Sequence, residues 1–338
     1  MANKKQNTPA RRAPTKRQLS RWERENRSKR ITLLVGSFVV LVVVALVGFG
    51  AYAKYVVPPR ETAFKVNGKS FDMDHYVKVM RWLTVNGRDL QSATPDAMER
   101  NIVNPELLKE AAPDLGLTIT PEESIERTRE SYRSSLPEGE EFDEAKFQTF
   151  LSDRAKTYGL SLQELTPFLE QATLVNKLLD YLGKDLPANA PQVHLLGIEV
   201  SDALAANDVQ TKLAGGQDFA EVAKTSSIHS SSGSNGGDLG WLAKDLLPAD
   251  FADTVFSLEA GGLTQPISGK LSETDTGGFW IFKVAEKENE RAVDEALLGA
   301  LKNKLATQWF ADQKAKSQIE NMVTNEKRAW ALEQVPAQ

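Results

Sequence analysis

Apolar residues run uninterrupted by charge from Ile31 to Ala53, 23 residues in all. At helical rise this stretch reaches roughly 34 Å, enough to cross a hydrocarbon core of about 30 Å, so it predicts a transmembrane helix. Past a short stiff spacer at Val56-Val57-Pro58-Pro59, Ala63-Phe64-Lys65-Val66 followed by Asn67-Gly68 predicts a strand entering a tight turn. Asp72 then caps a helix whose Tyr76, Val79, Met80 and Leu83 share one face. Helix signals continue to about residue 183. Thr94-Pro95 opens one helix, which Pro105 breaks or kinks; Thr120-Pro121-Glu122-Glu123 supplies an N1 proline and a capping box, and Ser161-Leu162-Gln163-Glu164 another box. From Leu165, the positions Phe168, Leu169, Ala172, Val175, Leu178, Leu179 and Leu182 trace the stripe of a core-facing helix.

Pro187-Ala188-Asn189-Ala190-Pro191 reads as an interdomain linker, after which short strands, glycine turns and short helices take over. A strand is expected over Val193 to Val200, helices over Ala203 to Leu213 and Asp218 to Lys224, and a closing strand over Gly278 to Val284. One helix is expected from Arg291 to Trp330, burying Leu297, Leu298, Leu301, Leu305, Trp309 and Phe310.

Charge adds a direction to this plan. Residues 1–30 hold eleven Lys and Arg against two Asp and Glu, while the whole chain carries −5, so everything beyond the apolar stretch is acidic. A basic flank holds the N-terminus in the cytoplasm and leaves the body extracytoplasmic, with Tyr52 and Tyr55 at the interface. Cleavage after a signal peptide ending Ala51-Tyr52-Ala53 is the alternative, but the apolar stretch exceeds the usual h-region of about 7–15 residues. Residues 1–30 are expected to be disordered, having little to bury. Beside a membrane span, their arginines are better explained by topology and lipid contact than by nucleic acid. Without cysteine, thiol nucleophiles, disulfides and lipoprotein anchoring are excluded, and His75, His194 and His229 lack metal-ligand spacing. No metal or cofactor is expected.

Four spaced motifs in residues 192–288 resemble the parvulin (PpiC-like) family of peptidyl-prolyl isomerases. They are Asp218-Phe219-Ala220-Glu221-Val222-Ala223; Gly236-Gly237-Asp238-Leu239-Gly240-Trp241; Phe256-Ser257-Leu258 with Gly261, Thr264 and Pro266-Ile267; and Gly278-Phe279-Trp280-Ile281-Phe282-Lys283-Val284. Upstream, Val66-Asn67-Gly68, Asn104-Pro105-Glu106-Leu107-Leu108 and Leu115-Gly116-Leu117-Thr118-Ile119-Thr120 resemble the chaperone domain of SurA and PrsA type foldases. The resemblance implies an α+β chain: residues 1–30 a basic cytoplasmic tail, 31–53 the transmembrane helix, 60–185 a helical chaperone domain, 188–288 an inserted parvulin-like (FKBP-like) domain, and 291–335 a C-terminal helix packing on the chaperone domain. The partners it implies are unfolded or nascent extracytoplasmic polypeptides, with membrane lipids contacted through residues 31–53.

Proline isomerisation needs no nucleophile or metal, only an apolar hold on the ring and stabilisation of the twisted amide. By motif position Leu239, Leu247, Phe251 and Trp280 correspond to the substrate pocket, and the family's Cys or Asp falls on or beside Ser230, in a stretch able to supply hydroxyl donors. The two positions where the family usually carries histidine fall on Gly197 and Trp280. His194 lies an odd offset away, on the opposite strand face from position 197. The loop around Ser230 reads otherwise as flexible and polar, and His75 as solvent-exposed. Two functions therefore stand side by side: a foldase isomerising X-Pro bonds with weak turnover, and a non-catalytic holdase or scaffold on a degenerate parvulin fold.

Overall fold

The computed structural model describes residues 16–85, 93–271 and 277–335. Helix α1 spans Lys16–Tyr55, so residues 16–30 are helical where a disordered tail was expected. Lys, Arg, Gln, Leu and Glu propagate a helix readily once the apolar stretch has nucleated it. The remainder of that tail lies outside the described residues. Thr32–Gly50 has a mean hydropathy of 2.8, and none of it is buried against the rest of the protein. The proline spacer is itself a helical turn, α2 (Val57–Arg60), with proline in its first positions, where no N–H is needed.

Strands β1 (Thr62–Val66) and β2 (Lys69–Asp72) form a hairpin. Its two turn residues, Asn67 and Gly68, both have positive φ, the conformation that makes Asn-Gly the preferred pair for such a turn. Five helices follow: α3 (Met73–Val85), α4 (Pro95–Ala111), α5 (Pro121–Ser134), α6 (Glu144–Thr157) and α7 (Leu162–Gly183). Their entrances are capped as the sequence indicates. Asp72 Oδ1 accepts from the His75 amide, Thr94 and Thr120 cap α4 and α5, and Ser161 and Glu164 complete a reciprocal box on α7. Pro105 does not break α4, which continues to Ala111.

The second sheet has order β4-β3-β6-β5, built from β3 (Asn189–Val200), β4 (Asp238–Ala243), β5 (Ile267–Gly269) and β6 (Gly278–Ala292). All its pairings are antiparallel. Helices α8 (Ala203–Ala214) and α9 (Phe219–Ser226) precede β4, and α10 (Ala249–Ser257) precedes β5. Asp202 and Asp218 cap α8 and α9. The expected linker is partly strand, with Asn189 opposite Ala292 and Ala190 opposite Arg291. Chain entering and chain leaving this sheet therefore run side by side as a paired neck.

The C-terminal segment is not one helix. Helix α11 (Glu295–Ala315) gives way to β7 (Ile319–Asn321) and then to α12 (Asn325–Glu333). Strand β7 joins the hairpin on its β1 side, giving the order β2-β1-β7. Ala331 and Val335 enter the core of Phe64, Met73, Tyr76 and Phe147. Trp309 and Phe310 of α11 pack with Leu108 of α4 and Leu174 and Leu178 of α7. The beginning of α11 faces the other way, where Leu297 and Leu301 meet Ala243 of β4. His75, expected at the surface, is half-buried between Phe71 at 5.2 Å and Phe168 at 6.4 Å. Burial lowers its pKa below the ordinary 6.5, opposed chiefly by Asp72.

Candidate functional site: an apolar cluster walled by Trp280

The central strands β3 and β6 alternate between two cores, as a sheet covered on both faces must. On one side Ile198, Val200 and Ile281 pack with Ala206 and Val209 of α8 and Phe219 and Val222 of α9. On the other, Val193, Leu195, Trp280, Phe282 and Val284 meet Leu247 and the α10 residues Phe251, Ala252 and Val255, with Leu239 and Leu242 packed against them. The expected substrate residues Leu239, Leu247, Phe251 and Trp280 thus share this second cluster. Trp280 stacks on Phe282 at 5.3 Å with 7° between planes, and Phe251 meets Phe282 edge-on at 5.2 Å. Leu247, Phe251 and Trp280 are only 3%, 0% and 0% exposed, while Leu239 is half-buried and forms the outer wall.

Gly197 explains how an indole fits here. A Cβ at 197 would lie 2.8 Å from Leu239 Cδ1, 3.0 Å from Trp280 Cζ3 and 3.2 Å from Phe282 Cε1. The two positions where the resemblance places histidines are therefore matched to each other in volume, one emptied and the other filled.

The glycine pair of the Gly-Gly-Asp-Leu-Gly loop serves the same approach. Gly237 has φ +81°, and a Cβ there would stand 2.6 Å from the Gly197 carbonyl oxygen. The Gly197 amide donates to the Gly237 carbonyl at 2.8 Å. Asp238 Oδ1 accepts from the Gly240 amide at 2.8 Å and lies 2.9 Å from His194 Nε2. Burial acts to raise the Asp238 pKa, but the Gly240 amide and His194 outweigh it and hold the carboxyl below its usual range. His194 stacks on Trp241, over which the Arg291 guanidinium sits at 4.0 Å. It supports the loop from outside the apolar cluster.

Ser230 is exposed, and its hydroxyl makes no hydrogen bond among the described residues. Its surroundings are not the loose polar loop expected. Ser227 Oγ accepts from the Glu199 and His229 amides, the Ile228 amide donates to the Glu199 carbonyl, and the Gly233 amide to the His229 carbonyl. The side chain this brings to the cluster is His229, whose ring meets Trp280 edge-on at 5.0 Å. Its Nδ1 lies 2.7 Å from the buried Ser232 hydroxyl, and its Nε2 lies 3.1 Å from Ser231 Oγ. Sequence reasoning missed His229; its place in a serine run between a helix and a glycine turn was the available signal.

The site is thus a four-stranded antiparallel sheet with an aromatic cluster under α10 and a glycine-rich loop over its edge. Residues 201–286 match the family described as Rotamase: PPIC-type PPIASE domain. The chain therefore carries a PPIC-type domain, and its relatives include foldases and chaperones. The foldase protein PrsA of Geobacillus sp. (strain WCH70) is 35% identical over 120 residues, covering 35% of this chain and 41% of that protein. PrsA of Oceanobacillus iheyensis is 29% identical over 178 residues, 52% of this chain and 56% of that one. The periplasmic chaperone PpiD of Haemophilus influenzae is 40% identical over 75 residues, 22% of this chain and 12% of that one. The matched stretches thus span about half or less of the curated relatives.

Proposed function

We propose that this protein is a membrane-anchored extracytoplasmic foldase that isomerises X-Pro bonds in unfolded envelope or secreted polypeptides, with weak turnover. The observation that carries the reading is the cluster of Leu239, Leu247, Phe251 and Trp280 within a PPIC-type domain. An apolar wall of this kind holds a proline ring while the amide twists, and binding that favours the twisted over the planar form accelerates rotation. The turnover is weak because Gly197 and Trp280 remove two histidine donors, and because Leu247, Phe251 and Trp280 must part before a ring can enter. The assignment of residues 60–185 with 291–335 to a client-binding module, and of 188–288 to the isomerase, rests on their separate cores. Anchoring is supported by the unburied apolar helix Thr32–Gly50 and its basic flank, and an extracytoplasmic body by likeness to a periplasmic chaperone.

Exchange NMR on a prolyl peptide with the purified full chain tests the activity; a rate no greater than that without protein sinks it. Protease added outside cells with opened envelopes should digest the body and spare residues 1–30, and a protected body overturns the topology.

A second reading, a holdase without turnover, is favoured by a crevice between α3, α4 and α7. Two adjoining cavities of about 300 and 190 Å³ share Asn101 and Gln171 there. Client binding that survives full loss of isomerisation would select it.

A further inference from the structure

The apolar half of the site is fully walled, yet the two histidine positions that the resemblance implies hold a glycine and an indole. Two polar features stand at the edge of the cluster unabsorbed by that account. Trp280 is completely buried, and its Nε1–H finds no acceptor among the described residues, a costly state for a donor. Against the same indole stands the half-buried ring of His229, fixed from behind by a serine that is itself only 2% exposed.

We propose that His229, oriented by Ser232 and paired with the Trp280 indole N–H, is the hydrogen-bonding centre of this site and receives the carbonyl oxygen of the residue preceding proline. The inference rests on the isomerase reading and names the group that performs it. A Ser232 hydroxyl that donates to Nδ1, 2.7 Å away, leaves the ring proton on Nε2, the tautomer this proposal requires. Nε2 faces the Ser231 hydroxyl at 3.1 Å, and Ser231 is exposed, so a substrate carbonyl can take its place without uncovering a buried group. The loop does not have to fold around the ligand. Backbone bonds from Ile228 and Gly237 already tie it to Glu199 and Ser232. Once the cluster parts, Trp280 plays two roles, apolar floor for the proline ring and second donor through its Nε1–H, otherwise unpaired among the described residues. The twisted amide carries no full charge, so one or two hydrogen-bond donors suit it, and nothing covalent is made or broken.

The test uses the full chain in detergent and an Ala-Pro peptide, with exchange NMR as the rate measurement. His229→Leu keeps the volume and removes both nitrogens; kcat/KM should fall about tenfold, the scale of one lost hydrogen bond. His229→Gln, whose amide nitrogen can stand close to the position of Nε2, should recover part of the loss, and Ser232→Ala should lower kcat more than it raises KM. Titrating the peptide into wild-type protein should shift the His229 ring nitrogens and the Trp280 indole resonance, a response that a merely packed histidine would not give. Wild-type kcat/KM in His229→Leu, or both resonances unmoved at saturating peptide, overturns the proposal. If the wild type binds but does not turn over, the isomerase reading fails while the peptide shifts still decide whether His229 and Trp280 form the binding centre.

Discussion

Gly197 lies directly beneath the indole of Trp280, so close that a single added carbon would stand 3.0 Å from Cζ3 and 2.8 Å from Leu239 Cδ1. Gly197→Ala should cost about 1–3 kcal/mol by overpacking, measured by chemical denaturation of the full chain. Trp280→Phe removes the crowding ring, so the double variant should lose less than the sum of the singles. Additive losses would show that the two positions are not coupled.

Leu247 contributes a buried side chain where α10 begins and where the proline ring is proposed to rest. Leu247→Ala should destabilise the domain by about 2–5 kcal/mol and weaken prolyl-peptide affinity. Unchanged binding and rate in this variant would remove Leu247 from the site.

The neck pairing Asn189 with Ala292 and Ala190 with Arg291 predicts that the isomerase is a removable insert. Replacing residues 189–292 by a short glycine linker should leave α3, α7 and α11 folded, since Lys302 still reaches Asp180 at 2.8 Å. Ending the chain after residue 316 should do the opposite. It strips β7 from β1 and Ala331 and Val335 from the core, and the hairpin module should no longer melt cooperatively. Circular dichroism melts of the two deletions distinguish these outcomes.

His75 and Glu164 are among the groups that make stability fall on acidification. His75 has a folded pKa below 6.5, so the unfolded chain takes up its proton first; its contribution is complete above 6.5 and is lost as pH falls through the folded value. Glu164, held to about 2 by Lys78 and by Ser161, contributes above 4.5 and loses that contribution toward pH 2. Its carboxylate is 41% exposed, and solvent screening keeps the gain within about 1 kcal/mol. His75→Gln should flatten the stability profile just below pH 6.5, and Glu164→Gln only below 4.5. Identical profiles for wild type and His75→Gln would show that burial at His75 is not what shifts it.

Capped helices and apolar strands were legible in the chain because each carries its own signal. Asp72, Thr94, Ser161, Asp202 and Asp218 all stand where a helix begins, and Val193 to Val200 is apolar enough to announce a strand. The far half of β6, Glu286 to Ala292, is mostly exposed and charged, so its pairing to β3 leaves no apolar pattern in the sequence. Strand β7 is too short for a period and exists because β1 offers an open edge. At the site, the resemblance pointed to positions 197 and 280, but their complementarity joins residues far apart in sequence. His229 was hidden for the same reason: its partner Trp280 comes from another strand.

Only residues 56–61 separate the end of α1 from the first strand of the body, and four of them are wound into α2. Fully stretched they would reach about 20 Å, and as a helical turn much less. With Thr32–Gly50 in a bilayer, such a leash keeps the body skating on the lipid surface instead of roaming the space beyond. Meetings with clients then become a search in two dimensions. If the proposed weak isomerase is held at such a surface, it would gain in encounter frequency some of what it lacks in rate, and a version cut free at residue 56 would have to regain that proximity through concentration.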